Sequence, residues 1–362
     1  MFDVDNALCT LVQLGGSDLH LKVKVPPLTR VDGELRPIEG AAALTPEDTE
    51  TAVRTMLADP VKLDELAHEH EVDFSYSITG IARFRVNAFR QRGTLSLVCR
   101  AIPHSIRTVS DLNLPPVISE LAEEERGIIL LTGTTGSGKS TTLAAIIDHI
   151  NTRMSKHIVT IEDPIEFLHV DKKSIINQRE VGQDTLSFKR ALRRVLRQDP
   201  DVILIGEMRD EETVHTALSA AETGHLVLST VHTVDAAETV NRIIDFFPPH
   251  QQTQIRVSLA GSLKGVVSQR LLARKDGGGR VPAVEVLVVN GRVRDLILDP
   301  DKTHMIHDIV AESSFYGMQT FDQALLALYR SGLVTLEDAM AAATNSHDFE
   351  IMLKQEGLQP VG

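Results

Sequence analysis

Apolar and polar positions alternate along Asp18–Ile38, with Leu19, Leu21, Val23 and Val25 sharing one side of the alternation. A period of two predicts a strand, and Pro26-Pro27 and Asp32-Gly33 supply the turns that make it a hairpin. Thr45-Pro46-Glu47-Asp48 predicts a helix start, with a side-chain cap and proline at the first helical position, and Val53, Met56 and Leu57 follow at helical spacing. Residues 72–76 and 82–88 read as two further strands separated by Thr79-Gly80. Ala101-Ile102-Pro103 and Leu114-Pro115-Pro116 then interrupt regular structure. These breaks predict an α+β domain over residues 1–102, a linker over 103–116 and a second domain over 117–362.

In that second part, short apolar runs alternate with longer amphipathic stretches. The runs are 128–131, 158–161, 202–205 and 226–228. This rhythm predicts βαβ units around a parallel sheet. Beyond Gln251 the pattern predicts mostly helix, apart from a turn at Gly277-Gly278-Gly279 and a strand over 284–289.

Composition narrows the function classes. A chain of 362 residues is long for one core, which favours two or more domains. A net charge of −13, 4% aromatic residues and no Trp count against a protein that tracks nucleic acid, because little is available to neutralise phosphates or stack on bases. Cys9 and Cys99 are too few and too far apart for a disulfide framework or a four-cysteine zinc site, which fits a reducing cytoplasm. Residues 1–14 carry Asp3 and Asp5 and lack the basic, apolar character of an export signal. No run approaches the ~18 apolar residues of a membrane span, so membrane association is expected to come through a partner.

Gly133-Thr134-Thr135-Gly136-Ser137-Gly138-Lys139-Ser140 matches the Walker A pattern in full, behind one apolar run and ahead of an amphipathic stretch in which Leu143, Ile146, Ile147 and Ile150 form a stripe. Glycines let backbone N–H groups curl around phosphates at a helix amino end, where the dipole favours negative charge. Lys139 is expected to reach the β and γ oxygens and Ser140 to hold Mg²⁺, with Thr141 completing the nucleotide-binding set.

The run 202–205 leads through Gly206 to Glu207, where P-loop ATPases place the carboxylate that orients the attacking water. Many carry Asp just before that glutamate. Here the position is Gly206, so Glu162, or Asp163 beside it, is the candidate for the Mg²⁺ shell. His225 and His232 flank another short strand; His232, at its carboxyl end, is the candidate to face the γ-phosphate and sense it. His225 is expected to be structural. Between Phe74 and Ser110 there are six arginines and no acid or lysine. Among them Arg83, Arg85, Arg90 and Arg92 are candidates to reach the ATP of a neighbouring subunit, against the plainer possibility of a solvated strand face. Arg190, Arg193, Arg194 and Arg197 form a second basic stripe, either solvated or turned to an acidic partner.

At these residues the chain resembles the secretion-type ATPases and, within them, the pilus retraction branch, PilT and PilU. Ser17-Asp18-Leu19-His20-Leu21, Arg83–Asn87, Gln91-Arg92-Gly93, Glu162–Glu166, Gly206–Asp210, Gly224–Thr233 and Tyr316–Gln323 carry the resemblance. It implies a RecA-like ATPase domain with a parallel-rich sheet, a smaller PAS-like α+β domain before it and carboxyl-terminal helices after it. It further implies ATP and Mg²⁺, a homohexamer at the cytoplasmic base of the pilus machine, and an inner-membrane platform protein as partner. The branch usually carries Ala-Ile-Arg-Asn-Leu-Ile-Arg-Glu, whereas residues 292–299 read Arg-Val-Arg-Asp-Leu-Ile-Leu-Asp, which keeps a PilU-like accessory role open. An assembly ATPase would bring a longer amino-terminal region and a four-cysteine element. A nucleic-acid translocase would be expected to show more basic and aromatic surface, and a silent scaffold would not retain Lys139, Ser140 and Glu207.

Overall fold

In the computed structural model, residues 2–31, 33–102 and 105–358 are described; Asp32 and Pro103, at two of the expected breaks, lie outside them. Two compact units result, one formed by Met1–Ser105 with Glu166–Leu168, the other by Ile106–Ile165 with His169–Gly362.

The first unit contains helix α1 (Val4–Gln13), strands β1 (Asp18–Lys22), β2 (Leu28–Val31) and β3 (Glu34–Pro37), helices α2 (Pro46–Met56) and α3 (Pro60–Glu69), and strands β4 (Glu71–Ile78), β5 (Ala82–Gln91) and β6 (Thr94–Ile102). The strands form an antiparallel sheet in the order β3-β2-β1-β6-β5-β4. The capping signal at Thr45 is realised: its hydroxyl accepts from Asp48 N, Asp48 returns a carboxylate oxygen to Thr45 N, and α2 buries Thr49, Ala52, Val53 and Met56. Strand β5 alternates cleanly, with Ala82, Phe84, Val86 and Ala88 in the core. Strand β6 was not expected from the pattern. It follows a two-residue turn in which Arg92 and Gly93 both take positive φ, a turn read from Gly93 only once its pairing partner is known.

The second unit opens with helix α4 (Val117–Ala122) and strand β7 (Gly127–Thr132). Helix α5 (Lys139–Arg153), strands β8 (His157–Glu162) and β9 (Ile175–Glu180), helix α6 (Phe188–Val195), strand β10 (Val202–Ile205), helix α7 (Glu211–Glu222) and strand β11 (Leu226–Val231) continue it. Helices α8 (Ala236–Asp245) and α9 (Pro249–Ser262) lead to strands β12 (Leu263–Ala273) and β13 (Arg280–Val288). Among the described residues, five α-helices close the unit: α10 (Gly291–Leu298), α11 (Ile306–Glu312), α12 (Phe321–Arg330), α13 (Leu336–Ala342) and α14 (Ser346–Gln355).

Its seven strands run β13-β12-β7-β11-β10-β8-β9, parallel throughout except for the β12–β13 pair. Both faces are covered. Ile128, Leu130, Val159, Ile161, Ile203, Ile205 and Val227 pack beneath α6–α11, while Ile129, Leu131, Ile158, Val202, Leu204 and Leu226 face α4 and α5. Burial on both sides is why these strands read as unbroken apolar runs. Strand β12 corrects the expectation of helix after Gln251. Helix α9 passes directly into it at Leu263; Gly261 and Gly265 flank the junction, but neither by itself marks a change from helical to strand period. Leu272, Val281 and Ala283, from β12 and β13, form a further core with α12–α14.

Candidate active site

The loop from Gly133 to Gly138 joins β7 to α5, as its motif requires. Gly133, Gly136 and Gly138 have φ of 133°, 79° and 94°, a region that side-chain-bearing residues resist. At Gly133 space is also exhausted, since a Cβ would come within 2.5 Å of the Gln269 carbonyl oxygen and 2.7 Å of Ser137 Oγ. Lys139 is 8% exposed, and its Nζ donates to the carbonyls of Gly133 (2.6 Å) and Thr134 (3.0 Å), so the ammonium is held inside the loop it serves. Ser137 Oγ is buried without a hydrogen-bond partner. A concave loop of glycine backbone, a tethered ammonium and an orphaned hydroxyl fits a polyphosphate. Ser140 and Thr141 are half-buried in the first turn of α5. Leu143, Ile146, Ile147 and Ile150 are all buried, as their spacing predicted.

The remaining site residues come from neighbouring strands. Because β7, β11, β10 and β8 are parallel and adjacent in that order, the phosphate loop, His232, Glu207 and Glu162 all leave the same edge of the sheet. The structure pairs Glu207 with His232: Nε2 of His232 lies 3.3 Å from Glu207 Oε1. Arg209, which sequence reasoning did not single out, donates from Nε to Glu207 Oε2 at 2.8 Å. Glu207 is 21% exposed, so a carboxylate largely withdrawn from water carries two cation-capable neighbours. Its strand is held to its neighbours by two contacts at the bend, Gly206 N to Ile161 O (2.9 Å) and Thr230 Oγ1 to Gly206 O (2.8 Å).

Gly206 has a steric reason. A Cβ there would sit 3.2 Å from Ile161 O and 3.5 Å from the Phe188 ring, so the aspartate common at this place would press on strand β8.

Glu162 stands three strands from β7, roughly 14 Å at about 4.8 Å per strand. Its Oε1 accepts from Thr160 Oγ1 (2.6 Å) and Gln178 Nε2 (3.2 Å), which aims the carboxylate through partners the motif did not reveal. Asp163, next along, is exposed. Nδ1 of His225 bonds the Ala220 carbonyl at 2.9 Å, a structural role as expected. Of the basic stripe, Arg193 pairs with Glu212, which also pairs with Lys189, a residue of α6 outside the stripe.

The arginine candidates all belong to the amino-terminal unit and are not equivalent. Arg83 and Arg85 lie on the face of β5 opposite Phe84 and Val86; Arg90 has the other parity, and Arg92 is in the turn. Strand pairing aligns Arg30, Asp18, Arg100 and Arg85 across four strands. Asp18, 4% exposed, accepts from Arg100 Nε (2.8 Å) and Ser17 Oγ (2.7 Å) and lies 3.9 Å from Arg30. Burial works against its ionisation, but the Ser17 and Arg100 hydrogen bonds outweigh it and hold the carboxyl below its ordinary value. Asp18 thus offsets Arg30 and Arg100, leaving Arg85 exposed beside Arg100, with Ser75 opposite it and Asp73 diagonal to it on β4.

A parallel sheet with a glycine-rich phosphate loop at its carboxyl edge and a carboxylate two strands away defines a P-loop nucleotide hydrolase. Residues 4–280 match the family model described as "Type II/IV secretion system protein". The chain is 44% identical over 347 residues to the type IV pilus retraction ATPase PilT of Pseudomonas aeruginosa, covering 96% of this chain and 100% of that protein. It is 42% identical over 352 residues to the type IV pilus ATPase PilU of the same organism, covering 97% and 91%. A crystal structure of the pilus retraction motor PilT with bound ADP superimposes with a TM-score of 0.88 at 46% identity, covering 96% of this chain and 99% of that one. The chain belongs to the type II/IV secretion system protein family, in its pilus retraction branch, and is an ATP-hydrolysing motor of that branch. Among the described residues no helix is long and apolar enough to cross a membrane.

Proposed function

We propose that this chain works as a homohexameric ring on the cytoplasmic side of the inner membrane, where it turns ATP hydrolysis into pilin disassembly through a membrane platform protein. The observation that carries the reading is the contact of Glu207 with both His232 and Arg209 on the sheet edge that bears the phosphate loop. In this reading the backbone from Gly133 to Gly138, Lys139 and Thr141 bind the triphosphate. Glu207 orients the attacking water and accepts its proton, held in place by Arg209. His232 reports the state of the γ-phosphate to the α8 segment that follows it. Mg²⁺, when bound, would neutralise charge on the triphosphate; Ser140 would hold it through its hydroxyl, and Glu162, or less directly Asp163, would serve its water shell. Arg83, Arg85, Arg90 and Arg92 provide the set from which a neighbouring subunit's ATP is contacted, and Arg85 is favoured because it is exposed and adjoins Arg100 on the same sheet face.

An accessory, PilU-like role is the second reading, and helix α10 supports keeping it. Relative to the signature of the branch, the buried positions Val293, Leu296 and Ile297 stay aliphatic, while the exposed positions Arg292, Asp295 and Leu298 differ. The packing of the helix is retained and the chemistry of its outer face is changed. Deleting the gene tests the choice: over-piliated cells immobile on surfaces support a retraction motor, cells that keep twitching at low load support an accessory one, and bald cells would contradict both.

A further inference from the structure

Among the described residues the second unit buries two glutamates, Glu180, which accepts from Ile165 N at 3.1 Å, and Glu285. Glu285 lies on β13 and is 3% exposed. Register places it opposite Ser268 of β12, which in turn is opposite Thr132, the last residue of β7 before the phosphate loop. Thr132 Oγ1 and Ser268 Oγ are 2.9 Å apart and both side chains are fully buried. A polar row therefore runs Thr132, Ser268, Glu285 across three strands, with Arg270 two residues along β12 on the same face. At its end Glu285 Oε1 accepts the N–H of Ala236 at 2.9 Å, a fully buried bond to the first residue of α8.

Helix α8 begins four residues after His232, and the turn between them is tightly bonded. Thr233 and Thr239 share a hydroxyl contact of 2.7 Å, Asp235 caps Glu238 N, and Glu238 accepts from Val234 N. These bonds link the turn to the first turn of α8, and Glu285 adds a buried polar tie from the start of that helix to the sheet.

We propose that Glu285 is a positioning residue for hydrolysis: its carboxylate ties the start of α8 to the strand row beside the phosphate loop and so sets where the turn holds the His232 imidazole against Glu207. The inference rests on the reading of Glu207 and His232 as the hydrolytic pair. An acid is a costly choice for a purely structural tie, since a buried ionised group is tolerated only with partners. The groups facing it from each packed element are the Ala236 N–H and Asp235 at α8, Arg270 of β12, Asp322 of α12, and Nδ1 of His307 of α11 at 4.0 Å. Arg270 is partly engaged elsewhere, stacked 3.8 Å over Phe321 and donating to Ala342 O at 2.6 Å. Burial pushes the Glu285 carboxyl up to about 7; the Ala236 N–H and Arg270 oppose that rise, and Asp235 and Asp322 add to it. An ionised acceptor holds an N–H more strongly than a neutral one, so the tie tightens as pH rises through that value.

The test is steady-state ATP hydrolysis by the full chain from about pH 5.5 to 8.5, with kcat and KM separated. Wild-type kcat is expected to rise through a step near the Glu285 value. Glu285→Gln keeps a neutral oxygen for Ala236 N–H but cannot titrate, so it should stay near the low-pH wild-type kcat throughout and lose that step. Glu285→Ala, which cuts the tie, should lower kcat about tenfold at every pH with KM for ATP within about twofold. Ala236→Pro removes only the donor. Proline suits the first helical position and the extended Asp235 (φ −148°, ψ 174°) accepts it, so this variant, which also cuts the tie, should lower kcat about tenfold and lose the step. If Glu285→Ala does not fold, the other two variants decide. A Glu285→Gln protein with the wild-type pH profile, or a Glu285→Ala protein that raises KM and spares kcat, overturns the proposal. If Glu207→Gln retains turnover, the hydrolytic-pair reading fails first, which separates the two failures.

Discussion

Replacing Glu207 by Gln removes the negative charge and the proton-accepting capacity while keeping the shape of the side chain. A positioned general base contributes about 10²- to 10⁴-fold, so kcat should fall by that factor, equivalent to roughly 3 to 5 kcal/mol of barrier. Nothing in the phosphate loop contacts depends on Glu207: Lys139 is held by Gly133 and Thr134, and the loop conformation by its own glycines. ATP affinity should therefore stay within about threefold of wild type. Stability should change little as well. The contacts to Arg209 and His232 are partly solvated, with those side chains 60% and 48% exposed, and such pairs are worth less than about 1 kcal/mol. Phosphate release at saturating ATP and binding of a fluorescent nucleotide, measured on one preparation, separate the two effects. Turnover within tenfold of wild type would refute the assignment of Glu207. Lost nucleotide binding would show that the carboxylate supports the pocket rather than the chemistry.

Four further outcomes follow from the geometry. Gly133→Ala, which sets a methyl 2.5 Å from Gln269 O at a φ of 133°, should abolish nucleotide binding in an equilibrium assay while the amino-terminal unit stays folded. Gly206→Asp should fail to improve hydrolysis and should cost roughly 1 to 3 kcal/mol in denaturant melts, because its Cβ presses on the Ile161 carbonyl. Glu285 has a folded value near 7, above the ordinary glutamate value, so the folded state holds its proton longer than the unfolded chain does. Its contribution is complete below about pH 4, and stability falls by roughly 3 kcal/mol as pH rises from there through 7, a slope that chemical denaturation should find flattened in Glu285→Gln. Arg85→Ala combined with Arg92→Ala should leave nucleotide binding intact and impair only assembled rings; doped into wild-type protomers, it should lower turnover more than in proportion to its share.

Much of the chemistry is legible in the order of residues alone. The phosphate loop is contiguous, and its residue types answer local demands: glycine for positive φ, and a lysine whose ammonium folds back onto the loop carbonyls. The cap at Thr45 and the stripe on α5 are equally visible, because their partners lie within one or two turns. Where the sequence misleads, the signal is missing rather than weak. Strand β12 follows α9 without a break, and β6 depends on a turn whose first residue, Arg92, is not a turn former.

By itself, then, the sequence determined what depends on neighbours along the chain: a nucleotide-binding loop, an acidic residue after an apolar strand, a histidine after another, and an arginine-rich amino-terminal unit. Tertiary structure decided who meets whom. Glu207 and His232 meet because crossover helices place β11 between β7 and β10, and strand order is set by how helices cover both sheet faces. The same packing buries Glu285 beneath the turn that carries His232. In the sequence it is one acid among the aliphatic residues of a strand, and only the long-range contacts of β13 with α8 give it a partner.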